Sequence, residues 1–171
     1  MDLTRLIRDV PDFPKPGIVF KDITPLLADP AGLAMAVELM ANPFRHERVG
    51  LVVGAESRGF IFGTAIAQAL SAGFVPVRKP NKLPADTCSI QYELEYDSDT
   101  LEIHRDAIGH TDRVLMVDDL LATGGTLKAC CDLVQQLRGQ IVGITVLIEL
   151  ASLGGRARLK SYGDIHVVLK V

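Results

Sequence analysis

The turn at residues 122–126 has the composition of a phosphate-binding loop. It consists of Ala122, Thr123, Gly124, Gly125 and Thr126, and it lies between an apolar run and a helical pattern. Because the first amide groups of a helix have no partner inside the helix and the helix dipole adds positive charge there, a turn that opens a helix can bind phosphate. The glycines allow a close backbone approach and the threonines offer hydroxyl donors. The turn therefore predicts an anion site.

Two adjacent carboxylates, Asp118 and Asp119, precede this turn. They would repel a phosphate, so they predict a different ligand group beside it. Carboxylates accept hydrogen bonds from the vicinal hydroxyls of ribose and can help to hold a hydrated metal ion. Phosphate donors next to diol acceptors predict a ribose 5-phosphate site. The chain contains neither GxxxxGK[ST] nor GxGxxG here, which argues against nucleotide hydrolysis and dinucleotide binding.

The elements that must position these groups follow an α/β pattern. Uninterrupted apolar runs predict strands that are buried on both faces, and helical patterns follow two of them directly. The strands are predicted at 49–53, 114–117 and 141–148, and the helices at 59–70 and 125–137. This order predicts one α/β domain over residues 1–171, in which helices flank a mostly parallel central sheet.

Two further segments interrupt the alternation. Residues 11–27 carry four prolines and a glycine, which disfavour a helix or a central strand and suit an ordered wall or lid. Residues 79–104 begin with a polar, proline-broken stretch and continue with alternating apolar and polar residues around an Asp-Ser-Asp turn, which predicts a projecting hairpin. Apolar spacing at 3–10 predicts a short amphipathic helix, and Asp29 with Pro30 predicts a helix start.

Composition and charge disfavour several classes of function. The 171 residues are 48% hydrophobic and 23% charged, as in an ordinary globular domain. The net charge of −3 provides no broad cationic field for nucleic acid or an anionic membrane. No run approaches the roughly 18 apolar residues of a membrane helix. Three cysteines fit neither a zinc site nor a disulfide framework, which predicts a reducing, cytoplasmic compartment.

The segment 114–126, VLMVDDLLATGGT, resembles the phosphoribosyl pyrophosphate signature of type I phosphoribosyltransferases; the alternative is an ordinary turn with exposed aspartates. Other segments resemble the adenine phosphoribosyltransferase family in the same order and spacing, at 13–27, 53–63, 78–84, 92–108 and 149–159. The resemblance implies the type I phosphoribosyltransferase fold, with a hood segment at 11–27 and a flexible loop at 79–104. It also implies a homodimer that makes AMP and pyrophosphate from adenine and phosphoribosyl pyrophosphate.

The resemblance also assigns the residues that hold the phosphates and the ribose. The phosphoribosyl group is assigned to Asp118, Asp119, Ala122, Thr123, Gly124, Gly125 and Thr126, with Mg²⁺ on phosphoribosyl pyrophosphate near the two aspartates and no direct protein ligand. Pyrophosphate is assigned to Glu56, Ser57, Arg58, Arg78, Lys79 and Lys82, with a non-proline cis peptide at Glu56–Ser57. In the family, a basic segment can reach pyrophosphate from a neighbouring subunit. The alternatives are a surface ion pair at Arg58 and a solvated basic loop.

Adenine recognition is assigned to Val19, Phe20, Lys21 and Leu153. The rings and methyl groups of Phe20 and Leu153 suit the two walls of a flat purine slot, and backbone groups near Val19 suit its Watson–Crick edge. Lys21 stands where some family members carry arginine, so a bidentate contact there is in doubt. The alternative is that this part of the hood segment only packs onto the core.

Glu95 and Tyr96 are assigned to catalysis by their match to the family's Leu-Glu-Tyr element. A proton held or released near N7 by the carboxyl group of Glu95 would offset the charge changes as N9 attacks C1′, and Tyr96 would help to close the site. On the alternating pattern alone, Glu95 is equally a solvent-exposed strand residue. Asp97 follows where glycine is usual, which puts the turn geometry and the pKa of Glu95 in doubt.

Two competing functions remain open at this stage. A related enzyme would act on a 6-oxopurine, a pyrimidine or orotate in place of adenine. A regulator would keep the fold for sensing and bind nucleic acid, but it would need a helix-turn-helix or a basic face. The chain has neither the spare length nor the positive charge for that second function.

Glu95→Gln tests the catalytic assignment. Because glutamine cannot exchange a proton near N7, we expect the variant to lose turnover far more than affinity for phosphoribosyl pyrophosphate. Steady-state kinetics in both substrates measure the two effects separately. Turnover equal to that of the unmodified protein would remove Glu95 from the mechanism.

Overall fold

The structure, a computed structural model, describes residues 2–93 and 98–171. Within these ranges the strands are β1 (Arg8–Pro11), β2 (Val19–Asp22), β3 (Leu51–Ala55), β4 (Gly73–Val77), β5 (Thr87–Glu93), β6 (Ser98–His104), β7 (Arg113–Leu121), β8 (Gln140–Glu149) and β9 (Ile165–Lys170). The α-helices are α1 (Thr24–Ala28), α2 (Pro30–Ala41), α3 (Arg58–Leu70), α4 (Gly125–Gln136) and α5 (Gly155–Leu159).

A five-stranded parallel sheet forms the centre of the fold, in the spatial order β4-β3-β7-β8-β9. Two antiparallel pairs, β1–β2 and β5–β6, lie outside it. The α/β prediction with a mostly parallel sheet is therefore confirmed, as are the predicted hairpin and the two helices that follow β3 and β7. Among the described residues, no helix combines the length and apolar character that crossing a membrane requires.

Both faces of the central sheet are covered, which explains why its strands have unbroken apolar sequences. Along β7, Val114 and Met116 belong to one buried cluster, and Leu115 and Val117 belong to the other. The first cluster includes residues of α4, and the second includes residues of α2 and α3. Because successive side chains of a strand point to opposite faces, a strand between two helical layers needs apolar residues at every position.

Strand β7 extends further than its apolar run predicts. It continues through the two aspartates to Leu121, which pairs with Glu149 of β8. Asp118 and Asp119 therefore lie within the strand and not beyond its end.

The predicted helix at residues 3–10 is wrong beyond its first turn. Leu3–Leu6 form a 3₁₀ helix, and the chain then enters β1, which pairs with β2 of the hood segment. The apolar spacing fits a helix, but backbone pairing with a distant strand determines the extended conformation of residues 8–11. The start of α2 agrees with prediction, because Asp29 caps the helix by accepting a hydrogen bond from the Gly32 amide at 2.6 Å.

After α4, the left-handed backbone conformation falls one residue before the glycine. Arg138, and not Gly139, has a positive φ of 65°. Gly139 is required for a different reason, since a Cβ there would lie 2.7 Å from Ile108 Cγ2 and 2.9 Å from Val134 Cγ1. The glycine therefore permits close packing between the end of the helix and the core.

Gly139→Ala tests this close approach. We expect the added methyl group to lower the free energy of unfolding by about 1–3 kcal/mol, because the neighbours on both sides are buried or packed against the core. Gly50→Ala is the matched control: its Cβ would have Arg113 O as nearest neighbour at 3.8 Å, an ordinary contact, and we expect a change within about 0.5 kcal/mol. Urea unfolding of both variants measures the difference; equal stabilities would contradict the packing explanation.

Candidate functional site

The candidate site lies at the carboxyl end of the central sheet, where β3 ends beside the last residues of β7. These two strands pair in parallel from Leu51↔Val114 to Gly54↔Val117, so the segments that follow them meet at the same end. They enclose a cavity of about 260 Å³. Its lining consists of Ala55, Glu56, Ser57, Arg58, Asp118, Asp119, Leu120, Leu121, Ala122, Thr123, Gly124, Gly125, Thr126 and Leu127. The structure thus brings the residues predicted for the phosphoribosyl group together with Glu56, Ser57 and Arg58.

The loop 122–126 has the backbone geometry of an anion site. Gly124 precedes α4 in a left-handed conformation with φ 82°, and no side-chain hydrogen bond caps this helix at that residue. A Cβ at Gly124 would lie 2.8 Å from the Gly155 carbonyl oxygen, so glycine is required by both conformation and space. The first amide groups of a 12-residue helix therefore face the cavity region without a side-chain cap.

The two aspartates lie in different electrostatic environments. Burial and the neighbouring Asp119 raise the pKa of Asp118 well above its ordinary value, although its carboxylate accepts a 2.9 Å hydrogen bond from the Asp119 amide. Asp119 is only 3% exposed, and burial raises its pKa as well. The Arg58 guanidinium opposes that increase through an ion pair, with Nε 3.0 Å from Oδ2 of Asp119.

Arg58 connects the cavity with the hood segment. Besides its ion pair with Asp119, its guanidinium carbon lies 5.1 Å from the centre of the Phe20 ring. At this distance a cation and an aromatic face attract each other. Arg58 is thus ion-paired, as the alternative to a pyrophosphate role expected, but its partner Asp119 is a residue of the site itself and not a surface acid. The contact with Phe20 was not predicted, because the two residues are far apart in the sequence.

The residues predicted for adenine carry exposed apolar surface. Val19 is 48% exposed and Leu153 is 49% exposed, whereas Phe20 is half-buried and makes an edge-to-face contact with Phe13. Neither buried cluster includes Phe13 or Phe20. This arrangement argues against simple core packing of Phe13 and Phe20, whereas Ile23 and Leu26 at the end of the hood segment are buried in the core. Lys21 forms a 2.7 Å ion pair with Asp9 of the neighbouring strand.

Glu56 holds the basic segment against the loop after β3. Its carboxylate accepts a 3.0 Å hydrogen bond from the Lys79 amide and pairs with Arg78 Nε at 3.3 Å. The amide hydrogen bond from Lys79 is the main cause of a lowered pKa at Glu56, and Arg78 contributes further. Arg78 also donates a 3.2 Å hydrogen bond to the Lys82 carbonyl oxygen. The expected cis peptide between Glu56 and Ser57 is present.

The hairpin β5–β6 borders the other side of the cavity. Tyr92 and Asp99 are directly opposite each other across the two strands, and the Tyr92 hydroxyl lies 3.4 Å from Thr126 Oγ1. Neither residue was predicted to lie beside the cavity. The predicted Asp-Ser-Asp turn is wrong at Ser98 and Asp99, because both residues pair with β5 as part of β6. Glu95, Tyr96 and Asp97 lie outside the described residues.

The donor set fits a magnesium ion that arrives with its substrate. Mg²⁺ usually keeps several waters and binds one or two carboxylates together with substrate phosphates. The two aspartates supply such carboxylates. Nowhere in residues 2–93 and 98–171 do three or more histidine, cysteine or acidic side chains form a group that could hold a metal.

Comparisons with known proteins agree with this geometry. Residues 23–169 match the phosphoribosyl transferase domain family. The adenine phosphoribosyltransferase of Rhodopirellula baltica is 57% identical over 170 residues, which cover 99% of this chain and 82% of that protein. The protein of the same name from Halothermothrix orenii is 52% identical over 170 residues, which cover 99% of each chain.

Solved structures show the same likeness in three dimensions. The crystal structure of adenine phosphoribosyltransferase from Rhodothermus marinus has a TM-score of 0.94 and 52% identity, and the match covers 99% of this chain and 96% of that one. The Saccharomyces cerevisiae enzyme, complexed with an imino-altritol bisphosphate and adenine, has a TM-score of 0.91 and 36% identity, with 97% and 96% coverage.

Asp118→Asn tests the electrostatic cost of the Asp118 carboxylate. Between the ordinary carboxyl pKa of about 3.9 and the raised pKa of Asp118, the folded protein binds more protons than the unfolded chain, so its stability falls as pH rises. Asparagine does not ionise, so the variant does not lose stability in this way as pH rises. We expect the variant to melt about 2–4 °C higher at pH 7.5 for each kcal/mol regained, and the gain to shrink towards pH 4.

Thermal unfolding at both pH values measures this effect. Asp106→Asn is the control, because it removes one carboxylate from an exposed position and should leave the melting temperature nearly unchanged. An Asp118→Asn variant that melts at the temperature of the unmodified protein at pH 7.5 would contradict the raised pKa.

Proposed function

Because the chain belongs to the adenine phosphoribosyltransferase family, we propose that it transfers the 5-phosphoribosyl group from phosphoribosyl pyrophosphate to N9 of adenine, with AMP and pyrophosphate as products. The family carries the type I phosphoribosyltransferase fold that the sequence predicted. The observation that supports the proposal most strongly is the single cavity that joins an uncapped helix start to two carboxylates and an arginine. These groups match the phosphate, diol and pyrophosphate of one substrate.

The phosphoribosyl end of the substrate binds along β7 and the start of α4. Backbone amides of residues 122–126, together with the hydroxyl groups of Thr123 and Thr126, donate to the 5-phosphate. Asp118 and Asp119 accept hydrogen bonds from the ribose 2- and 3-hydroxyls. Because these hydroxyls are neutral donors, the two carboxylates hold the sugar without repelling it, and the phosphate stays at the far end of the cavity.

The pyrophosphate end binds near the loop after β3 and the basic segment. Backbone groups of Glu56 and Ser57 and the side chains of Arg58, Arg78, Lys79 and Lys82 surround it. The Glu56 carboxylate acts indirectly, since it holds Arg78 and the Lys79 backbone in place. A homodimer in which the basic segment also serves the neighbouring subunit remains part of this proposal.

Adenine binds between Phe20 and Leu153, with backbone groups near Val19 at its Watson–Crick edge. The half-exposed apolar surface of these residues supports a flat, apolar slot. The Saccharomyces cerevisiae relative was solved with adenine. Lys21 keeps a positive charge near this edge but is paired with Asp9.

Transfer breaks the C1′–O bond to pyrophosphate and forms the bond from C1′ to N9. Mg²⁺ that arrives with phosphoribosyl pyrophosphate would lie near Asp118 and Asp119. When bound, it would neutralise part of the pyrophosphate charge. As N9 attacks C1′, the imidazole proton of adenine leaves from N7 to the carboxylate of Glu95, and Tyr96 helps to close the site. Because a positively charged sugar carbon reacts readily with water, the hairpin must cover adenine before the bond breaks. Three free cysteines support a reducing compartment, the cytoplasm.

A substrate panel tests the function. We expect the purified protein to form AMP from adenine, Mg²⁺ and phosphoribosyl pyrophosphate, and to form no detectable nucleotide from hypoxanthine, guanine, uracil or orotate. Chromatography of the nucleotide products measures both results, and reactions without phosphoribosyl pyrophosphate are the blank. Nucleotide from another base in place of AMP would assign the chain to a different member of the superfamily.

A further inference from the structure

Lys79 already has a carboxylate partner within its own chain. Its ammonium group donates to Asp99 at the start of β6, and Asp99 is held from a second direction by the Tyr92 hydroxyl, 3.4 Å from the same carboxylate oxygen. Tyr92 and Asp99 are cross-strand partners in the hairpin. The three side chains therefore form one polar cluster at the base of the hairpin.

This cluster lies between two groups that line the cavity. On one side, the Lys79 amide donates to Glu56, which follows β3. On the other side, the Tyr92 hydroxyl approaches Thr126 at 3.4 Å, and a Cβ at Gly125 would lie 3.8 Å from the Tyr92 ring. The Lys79–Asp99 pair is thus located beside the cavity, between its pyrophosphate end and the loop that opens α4.

The pair is only partly shielded from water. The Lys79 side chain is 40% exposed and that of Asp99 is 26% exposed. Burial lowers the pKa of Lys79, but the hydrogen bond from its ammonium group to Asp99 and the nearby charges of Tyr92, Asp99 and Glu56 together outweigh this effect and leave the pKa raised. An ion pair of this exposure has a modest net free energy, so a polyanion that reaches the lysine can replace the carboxylate.

Resting on the proposed function, we propose that Asp99 is a positioning residue that competes with pyrophosphate for the Lys79 ammonium group. Without pyrophosphate, Asp99 keeps the flexible lysine side chain beside the cavity. When phosphoribosyl pyrophosphate binds, its more highly charged diphosphate displaces the carboxylate. When pyrophosphate leaves, Asp99 takes the lysine back and thereby weakens the hold on the product.

The proposal predicts the direction in which one substitution changes the affinity for pyrophosphate. Asp99→Asn keeps the size of the side chain and a hydrogen-bond acceptor but removes the competing charge. We expect the dissociation constant of magnesium pyrophosphate and the KM for phosphoribosyl pyrophosphate both to fall about threefold, a factor within the range of an exposed ion pair. A purely structural role for Asp99 predicts the opposite sign, because loss of the contact would loosen the hairpin.

A double-mutant cycle with Lys79→Met isolates the competition. In the Lys79→Met background, Asp99→Asn has no lysine to release, so we expect pyrophosphate affinity to change by less than about 1.5-fold. Titration calorimetry with magnesium pyrophosphate measures all four proteins. Asp106→Asn is the matched control for loss of one negative charge, since this exposed residue follows β6 at its opposite end from Asp99.

Each result decides the proposal. Tighter binding in Asp99→Asn that disappears in the Lys79→Met background supports it. Unchanged or weaker binding overturns it, and so does tighter binding that persists without Lys79, because the charge would then act on pyrophosphate directly. Asp99→Ser is measured in parallel in case one variant does not fold. Failure of the unmodified protein to form AMP would refute the proposed function. If the unmodified protein forms AMP but Asp99→Asn binds magnesium pyrophosphate with unchanged affinity, only this inference is refuted.

Discussion

The parallel pairing of β3 with β7 is the constraint on which the rest of the site depends. The paired stretch is short, from Leu51↔Val114 to Gly54↔Val117, but it brings the segments after both strands to one end of the sheet. A shift of one residue would turn each strand's side chains to the opposite layer, and both layers are apolar and fully covered. Core packing therefore fixes where the phosphate loop and the segment 56–58 meet.

Charge in the site is organised as ion pairs between its own residues. Arg58 pairs with Asp119, Arg78 with Glu56 and Lys79 with Asp99. A chain of net charge −3 can thus keep cationic side chains beside the cavity without a broad positive surface. On the proposed function, oxygens of the substrate replace these carboxylates as partners of the cationic side chains. The affinity for the substrate therefore reflects the difference in free energy between the two kinds of ion pair.

Local signals in the sequence predicted the site better than they predicted its contacts. Strand β7, the turn and α4 are contiguous, so their order alone predicted the turn at 122–126 that opens α4 and lines the cavity. The N-terminal residues failed because pairing of β1 with β2 outweighs the helical spacing of Leu3 and Leu6. The contacts of Arg58 with Phe20 and of Lys79 with Asp99 join segments that only the folded chain brings together. Such pairs leave no spacing pattern in the sequence.

The two aspartates connect the stability of the fold with its chemistry. Apolar neighbours and a second carboxylate raise the pKa of Asp118, which means that ionisation there opposes folding. Only part of that cost is offset, by the Asp119 amide at Asp118 and by Arg58 at Asp119. Ribose hydroxyls would donate to the same oxygens, and donors to a carboxylate favour its charged form. A sugar in the cavity would therefore stabilise the ionised pair, so the groups that destabilise the protein alone are the ones that ligand binding stabilises most.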